Sequence, residues 1–112
     1  MAANRSLVLG STEMLVLKLL SEKDMYGYEI IATLKERSNH VFDMKSGTLY
    51  PILHSLEEDG CLESYEKEVL GRTRIFYKLT DHGRHILDQK KAEWKEYTCA
   101  VNNILLIGEY GE

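Results

Sequence analysis

Residues 46–60 carry the helical pattern that most restricts how this chain can fold. An apolar stripe spaced at i, i+3, i+4 and i+7 is formed by Leu49, Ile52, Leu53 and Leu56. Ser46 stands at the expected N-cap, and Gly60 stands where a chain leaves a helix in the left-handed conformation. Pro51 removes an amide donor near the end of the first turn, so we expect an irregular start that does not break the helix.

The two ends of this helix differ in chemistry. Its last turn, residues 57–59, is acidic, although the helix dipole favours cations there. Its first turns carry small, polar and aromatic groups together with Lys45. We therefore expect the helix to enter a partner with its N-terminal end first, and our hypothesis is that the partner is a DNA groove.

Length and composition indicate one soluble domain. The 112 residues can build one modest core, and 44% apolar with 29% charged residues is ordinary for such a domain. No apolar run approaches the roughly 18 residues of a membrane span, and the N-terminus lacks a signal-peptide pattern. We therefore expect a cytoplasmic protein without membrane contact. Cys61 and Cys99 lack CxxC spacing, so we expect reduced thiols in preference to a disulfide.

The net charge of −4 is unevenly distributed along the chain. Acidic residues predominate over residues 57–68, where Lys67 is the lone base, and basic residues predominate over residues 69–91. Phosphate binding depends on the local potential within a Debye length of about 8–10 Å rather than on the total charge. An acidic chain can therefore still present a basic edge to DNA, with few phosphate contacts per chain.

Two helices are expected before this segment. The first covers residues 12–21 with Ser11 as its cap, and its apolar residues point in more than one direction, which predicts burial from two sides. The second opens after a turn at residues 22–25 and runs to Arg37. Gly27 at its start indicates close backbone approach, either to another helix or to a phosphate. Residues 38–45 form a loop with one short strand at 41–44.

A β-hairpin and a long helix are expected after it. Residues 61–68 and 72–79 alternate in polarity and are joined through a glycine-containing bend at 69–71. The side chains expected to face the core are those of Leu62, Tyr65, Ile75, Tyr77 and Leu79. Those of Thr73, Phe76 and Lys78 are expected to face outward. Thr80 then caps a helix that runs from Asp81 to about Ile107.

The final helix carries a heptad-like apolar seam interrupted by Lys90. The seam consists of Leu87, Trp94 and Val101 at intervals of seven, with Tyr97 and Ile104 between them. So small a domain offers nothing else that could bury both Trp94 and Ile104. We therefore expect a second copy of the chain to cover this seam.

Three helices followed by a hairpin predict a winged helix-turn-helix. The expected fold class is mostly α with a β-hairpin and a long C-terminal dimerisation helix. Residues 1–112 are treated as one domain, with a DNA-binding head at 7–79 and a dimerisation helix at 80–107. The residues expected to contact double-stranded DNA are Tyr26, Tyr28, Lys45, Ser46, Gly47, Thr48, Tyr50, His54, Arg72 and Arg74.

Four segments in register resemble the PadR family of bacterial transcriptional regulators. They are residues 26–30 (YGYEI), 47–53 (GTLYPIL), 56–60 (LEEDG) and 71–80 (GRTRIFYKLT). The resemblance spans about residues 7–105 and implies a homodimeric winged helix-turn-helix repressor of the short subfamily, with a single C-terminal dimerisation helix. The residues expected at the dimer interface are Leu7, Leu9, Met14, Leu87, Trp94, Tyr97, Val101, Ile104 and Leu105.

The resemblance also implies a possible effector site. In some members of the short subfamily, a tryptophan in the last helix lines a flat hydrophobic cavity at the dimer centre, where planar aromatic compounds stack. Trp94 matches that position in the helix. A small hydrophobic effector would accordingly contact Met14, Leu17 and Trp94.

Other interpretations of these residues remain open at this point. Tyr26 and Tyr28 either contact the DNA backbone or pack the helix start, and Trp94 fills space with or without a ligand. His82 and His85 share a helical face with Asp81 and Asp88, but a metal site there would need a further ligand, so we expect a solvated face and no metal.

Catalysis is not indicated. Consecutive acids on a helix do not converge, and no nucleophile–base spacing occurs, so we expect no enzyme activity and no cofactor. The rival class is a winged-helix protein-interaction module without specific DNA binding, which the negative charge would suit.

Overall fold

The computed structural model describes residues 5–106, with side chains described from Ser11 onward. The elements in chain order are α1 (Arg5–Glu22), β1 (Met25–Tyr26), α2 (Gly27–Arg37), α3 (Ser46–Glu58), β2 (Leu62–Val69), β3 (Arg72–Leu79) and α4 (Asp81–Leu105). The strands form one antiparallel sheet in the order β1-β3-β2. This arrangement confirms the predicted winged helix-turn-helix followed by a long C-terminal helix.

Helix α1 begins earlier than its sequence pattern predicts. It passes through Gly10 and Ser11, so Ser11 is not its N-cap, and the side chains of Ser11 and Thr12 are buried. Tertiary burial here overrides the helix-breaking tendency of a Gly-Ser pair. The adjacent residues 16–17 and 19–20 are all buried, as expected for a helix that is covered from several sides. The side chains of Leu7 and Leu9 lie outside the described residues.

Two local predictions around α2 are wrong. Residues 25–26 form β1, which pairs with β3 at Met25↔Tyr77 and Tyr26↔Phe76, where the end of a turn and the first residue of the second helix were expected. Such a short strand has no periodicity to detect. No strand forms at residues 41–44, because the loop instead closes on itself through the Phe42 N–H, which donates to Ser38 Oγ at 2.9 Å.

Helix α3 continues through Pro51, its sixth residue, without breaking, as expected. Lys45, not Ser46, is the N-cap, and the amides of Thr48 and Leu49 both donate to the Lys45 carbonyl at 3.0 Å. At the other end, Gly60 has a φ of +81°, its N–H donates to Glu57 O, and the Cys61 N–H donates to Leu56 O at 2.9 Å. This pair of bonds is a Schellman motif, which confirms the predicted glycine exit.

The hairpin turn is a two-residue loop, Leu70–Gly71, with φ of +51° and +81°. Positive φ at both positions is the type I′ geometry that matches the twist of the flanking strands. The register runs from Val69↔Arg72 to Leu62↔Leu79. Tyr77 and Leu79 are buried as predicted, but Tyr65 and Ile75 are exposed, and Phe76 is buried on the opposite face of the sheet.

The core joins α1, α2, α3 and the inner face of the sheet to the first turns of α4. Its buried residues are Val16, Leu17, Leu19, Leu20, Met25, Ile30, Leu34, Met44, Leu49, Leu53, Leu56, Cys61, Leu62, Tyr77, Leu79 and Leu87. The stripe predicted for α3 is therefore the side that faces the core, with Ile52 packed at its margin.

Helix α4 starts at a tight joint with the end of α3. Thr80 Oγ1 accepts from the Gly83 N–H at 2.9 Å, as predicted for a cap, and donates to Gly60 O at 2.6 Å. Leu87 is only 3% exposed, so it belongs to the core of the head and is not available on the outer seam. Beyond it, the apolar side chains Trp94, Tyr97, Ile104 and Leu105 are exposed on this chain.

Candidate nucleic-acid interface

A surface groove lies between the start of α2, the front of α3 and strand β3. Its volume is about 340 Å³, and it is lined by Tyr26, Gly27, Tyr28, Tyr50, His54, Thr73, Arg74, Ile75 and Tyr77. Tyr26, Tyr28, Tyr50, His54 and Arg74 were predicted from the sequence as DNA contacts, so folding brings residues from three separate segments together. We refer to this feature as the α3 groove.

Tyr50 lies against Gly27, which decides between the two sequence interpretations of that glycine. A Cβ atom built on Gly27 would collide with the hydroxyl and ring of Tyr50. The glycine therefore serves side-chain packing from α3 onto the start of α2. Tyr50 keeps 36% of its surface exposed, and its ring centroid lies 6.4 Å from that of His54.

The N-terminal end of α3 is open to solvent. Lys45, Ser46 and Gly47 are exposed and Thr48 is half-buried. A Cβ on Gly47 would meet nothing within 4 Å. The first amides of a helix have no intrahelical acceptor, and the dipole places partial positive charge there, so this end can accept an anion.

We refer to the hairpin of β2 and β3 as the wing. The two predicted arginines occupy different environments on it. Arg72 is exposed beside the turn, whereas Arg74 is half-buried with its guanidinium carbon 5.3 Å from the centroid of the Tyr26 ring. Tyr26 is also packed against Phe76, with centroids 5.3 Å apart. Tyr26 thus supports an arginine, while Tyr28, which is 68% exposed, is free to contact another molecule.

The acidic last turn of α3 lies away from this groove, whereas Glu66 and Glu68 pair across the hairpin with Ile75 and Thr73, which line it. The Glu57 carboxylate accepts from the Ser64 hydroxyl at 2.6 Å at the rear of α3, near the base of β2. The front of α3 is therefore uncharged to basic on the folded surface as well as in the sequence. Thr73 and Ile75 also line the groove, although the sequence pattern had assigned Ile75 to the core.

Trp94 lies beside hollows on the surface of α1 and α4. One, of about 510 Å³, is lined by Met14, Leu15, Lys18, Lys91, Ala92, Trp94 and Lys95. A second, of about 180 Å³, is lined by Met14, Lys90, Glu93, Trp94 and Tyr97. Met14 and Trp94 are therefore neighbours, as expected, but Leu17 is fully buried behind them and lines neither hollow.

Other chemistries find little support over residues 5–106. No group of three or more His, Cys, Asp or Glu in this range could hold a metal ion. Cys61 and Cys99 are free thiols, and burial, followed by the nearby Asp59 carboxylate, raises the pKa of the Cys61 thiol. In the same range, no helix is both long and apolar enough to cross a membrane.

Comparisons with known proteins agree with this geometry. The family described as transcriptional regulator PadR-like matches residues 16–89. Transcriptional regulator Rv3488 of Mycobacterium tuberculosis is 42% identical over 67 residues, which cover 60% of this chain and 63% of that protein.

Solved structures extend the likeness to nearly the whole chain. A transcriptional regulator from Clostridium thermocellum has a TM-score of 0.85 at 29% identity, over 93% of this chain and 99% of that one. A PadR family regulator from Eggerthella lenta has a TM-score of 0.78 at 31% identity, over 91% and 88%. This chain therefore belongs to the PadR-like family of transcriptional regulators, which are not enzymes.

Proposed function

We propose that this protein is a repressor that binds a pseudo-palindromic DNA operator as a homodimer. The observation that carries the proposal is the α3 groove, with the exposed N-terminal end of α3 beside it. Within the described residues, Lys45, Arg72 and Arg74 form no ion pair with the protein's own carboxylates. Lys45 is the N-cap of α3, Arg74 lines the groove and Arg72 lies beside the hairpin turn, and cations without internal carboxylate partners suit a phosphate backbone.

The dimensions of α3 fit the major groove of B-DNA. A helix with its side chains is about 10–12 Å wide and the groove is about 12 Å wide. With its N-terminal end leading, α3 would direct Thr48, Tyr50 and His54 toward base edges. Ser46 and the amides of Gly47 and Thr48 would meet a phosphate, and the wing would follow the adjacent backbone.

Dimerisation is supported by the exposed apolar side chains of α4. Trp94 is 47% and Ile104 78% exposed, and both lie on the seam predicted from the heptad spacing. We propose that a second chain covers them, with residues 7–79 acting as the reading head and residues 80–107 as the dimerisation helix. Two-fold symmetry would then set the two α3 helices about 34 Å apart, one DNA turn.

We also propose that a small-molecule effector regulates DNA binding. A planar hydrophobic molecule would bind near Trp94 and its counterpart in the second chain, beside Met14, and would favour one spacing of the heads over another. Titration of a broad panel of planar aromatics against Trp94 fluorescence tests this. We expect quenching by at least one compound, and its absence across the panel would argue against an effector at this site.

The net charge of −4 favours one alternative, a winged-helix module that binds another protein. Salt distinguishes the two functions, because DNA binding releases counterions and weakens steeply as salt rises. Genome-wide selection of bound DNA fragments by the purified protein, followed by a salt titration on a selected fragment, is the deciding experiment. We expect enriched fragments with a shared inverted repeat. Failure to enrich any sequence would support the protein-binding module.

The direction of regulation needs a separate test. A reporter gene placed behind a selected fragment should be expressed less when the protein is present in the same cytoplasm. Increased expression would contradict repression and leave DNA binding intact.

A further inference from the structure

The wing has two chemically different faces. Because side chains alternate along a strand, Tyr65, Lys67, Arg74 and Phe76 project from the face opposite to that of the buried Tyr77. Tyr26 of β1 joins them, since it pairs with Phe76. We call this set the outer wing face. Its aromatic rings are packed in series, with centroids 5.3 Å apart for Tyr26 and Phe76 and 5.7 Å apart for Tyr65 and Phe76.

Two cations lie directly opposite each other on this face. Lys67 pairs with Arg74 across β2 and β3, which places their Cβ atoms about 5 Å apart. Each is held against a ring, with Lys67 Nζ 5.2 Å from the Phe76 centroid and the Arg74 guanidinium over Tyr26. Like charges at opposed positions destabilise a strand pair, so this arrangement costs stability in the free protein.

Neither cation is neutralised by the chain over the part that the structure describes. Glu66 and Glu68 flank Lys67 in sequence, but strand alternation directs them to the other face. Asp24, near this face, accepts a hydrogen bond from the Tyr65 hydroxyl at 2.7 Å. The Arg74 Nε–H is shielded from solvent and has no acceptor among the described residues. Among the described residues, Lys67 and Arg74 thus carry positive charge that no ion pair with a carboxylate neutralises.

We infer that Lys67 and Arg74 bind two adjacent phosphates of one DNA strand, with the Tyr26 and Phe76 rings as their support. This inference rests on the proposed DNA-binding function and adds Lys67, a lone base within an acidic stretch, to the contacts. Arg74 also lines the α3 groove, so a backbone leaving that groove meets Arg74 and then Lys67. A phosphodiester is the fitting ligand because its charge is spread over oxygens that accept from both side chains.

Salt dependence of binding tests the inference. A labelled duplex of random sequence, about 30 base pairs long to span two half-sites, is titrated with the full-length protein by fluorescence anisotropy at several salt concentrations. Each phosphate contact contributes about 0.9 to the slope of log affinity against log salt. We expect Lys67→Gln to reduce that slope by about 0.9 per chain, or about 1.8 per dimer, and to weaken binding roughly five- to tenfold per chain at 0.1 M salt.

Two variants control this result. Lys67→Arg keeps the charge and should retain the wild-type slope. Arg84→Gln removes the same charge from the exposed first turns of α4, outside the α3 groove and the Trp94 hollows, and should leave the slope unchanged. Circular dichroism verifies that each variant is folded, which is expected because Lys67 and Arg84 are both exposed.

The possible outcomes separate this inference from the proposed function. A wild-type protein whose binding ignores salt would contradict DNA binding itself. A salt-sensitive wild type with an unchanged slope for Lys67→Gln would overturn the Lys67 assignment alone. An equal loss of slope for Arg84→Gln would also overturn it, because the effect would then come from total charge.

Discussion

Close approach between side chains and backbone determines several single positions in this protein. Gly27 leaves room for Tyr50, and Gly83 leaves room for the carbonyl oxygen of Cys61. The sequence pattern indicated close approach at Gly27 but left its partner open, because the partner comes from a different helix. The Phe76 burial was missed for a similar reason, since its covering rings, Tyr26 and Tyr65, come from two other strands.

Gly27→Ala should weaken DNA binding by displacing Tyr50. The added methyl group would collide with the Tyr50 ring, which would have to rotate out of the α3 groove. We expect a loss of operator affinity, together with destabilisation on the order of 1–3 kcal/mol from overpacking. Anisotropy titration and urea unfolding measure the two effects. Gly47→Ala is the control for stability, because a Cβ there meets open space. If Gly27→Ala keeps the wild-type affinity for the operator, the position of Tyr50 against Gly27 is not required for DNA binding, which would contradict the prediction.

Leu70→Asn should stabilise the protein. Leu70 is 99% exposed and has a φ of +51°, so its side chain gains no burial while its backbone is strained. Asparagine tolerates this conformation and is favoured in type I′ turns. We expect the free energy of unfolding to rise by about 0.5–1 kcal/mol and Leu70→Val, with its branched Cβ, to lower it. A lower melting temperature for Leu70→Asn would contradict the turn geometry.

Among the secondary-structure elements, the joint between α3 and α4 connects the proposed reading helix to the proposed dimerisation helix. Thr80 bonds both Gly60, at the exit of α3, and Gly83, in the first turn of α4. The Thr80 N–H also donates to Cys61 O at 3.0 Å. This set of bonds fixes the start of α4 relative to the end of α3.

Thr80→Val should destabilise the protein through this joint. Valine has a similar shape but neither accepts from Gly83 nor donates to Gly60, so the cap and the link are both lost. We expect the free energy of unfolding to fall by about 1–2 kcal/mol, and Thr80→Ser, which keeps the hydroxyl, to lose much less. Equal stabilities of the valine and serine variants in urea would contradict the assigned hydrogen bonds.

The length and periodicity of a helix or strand determine whether it can be predicted from the sequence. The interior of α3, the hairpin and the capped start of α4 were predicted because each carries a local pattern or cap. The two-residue β1 has no such pattern, and the start of α1 is set by burial of Ser11 and Thr12 that only the tertiary fold provides. Five of the ten candidate DNA contacts, Tyr26, Tyr28, Tyr50, His54 and Arg74, line one groove, and their contact with DNA stays a prediction.

The whole protein is unusually extended for its length because α4 continues past the head. Its 25 residues span about 37 Å, and its second half carries exposed Tyr97, Ile104 and Leu105. An exposed apolar patch of this kind marks an interaction site in a protein that stays in solution. The proposed homodimer would bury it.

Ile104→Asp should therefore shift the protein from dimer to monomer. The side chain is 78% exposed on the single chain, so the substitution leaves the head's core intact while placing a charge in the proposed interface. Asn103→Asp introduces the same charge at the neighbouring exposed position, off the seam, and should remain dimeric. Sedimentation velocity distinguishes the states. A dimer of unchanged affinity in Ile104→Asp would place the interface elsewhere.

One experiment tests DNA recognition by α3, the spacing of the two heads and the dimer together. A selected operator fragment is footprinted with hydroxyl radicals, and the protein-to-DNA ratio is determined in parallel. Two identical chains with α3 in the major groove should protect two patches whose centres lie about 34 Å apart on one side of the duplex, at two chains per site. A single protected patch bound by one chain would contradict the symmetric arrangement, and an unprotected duplex would contradict DNA recognition by α3.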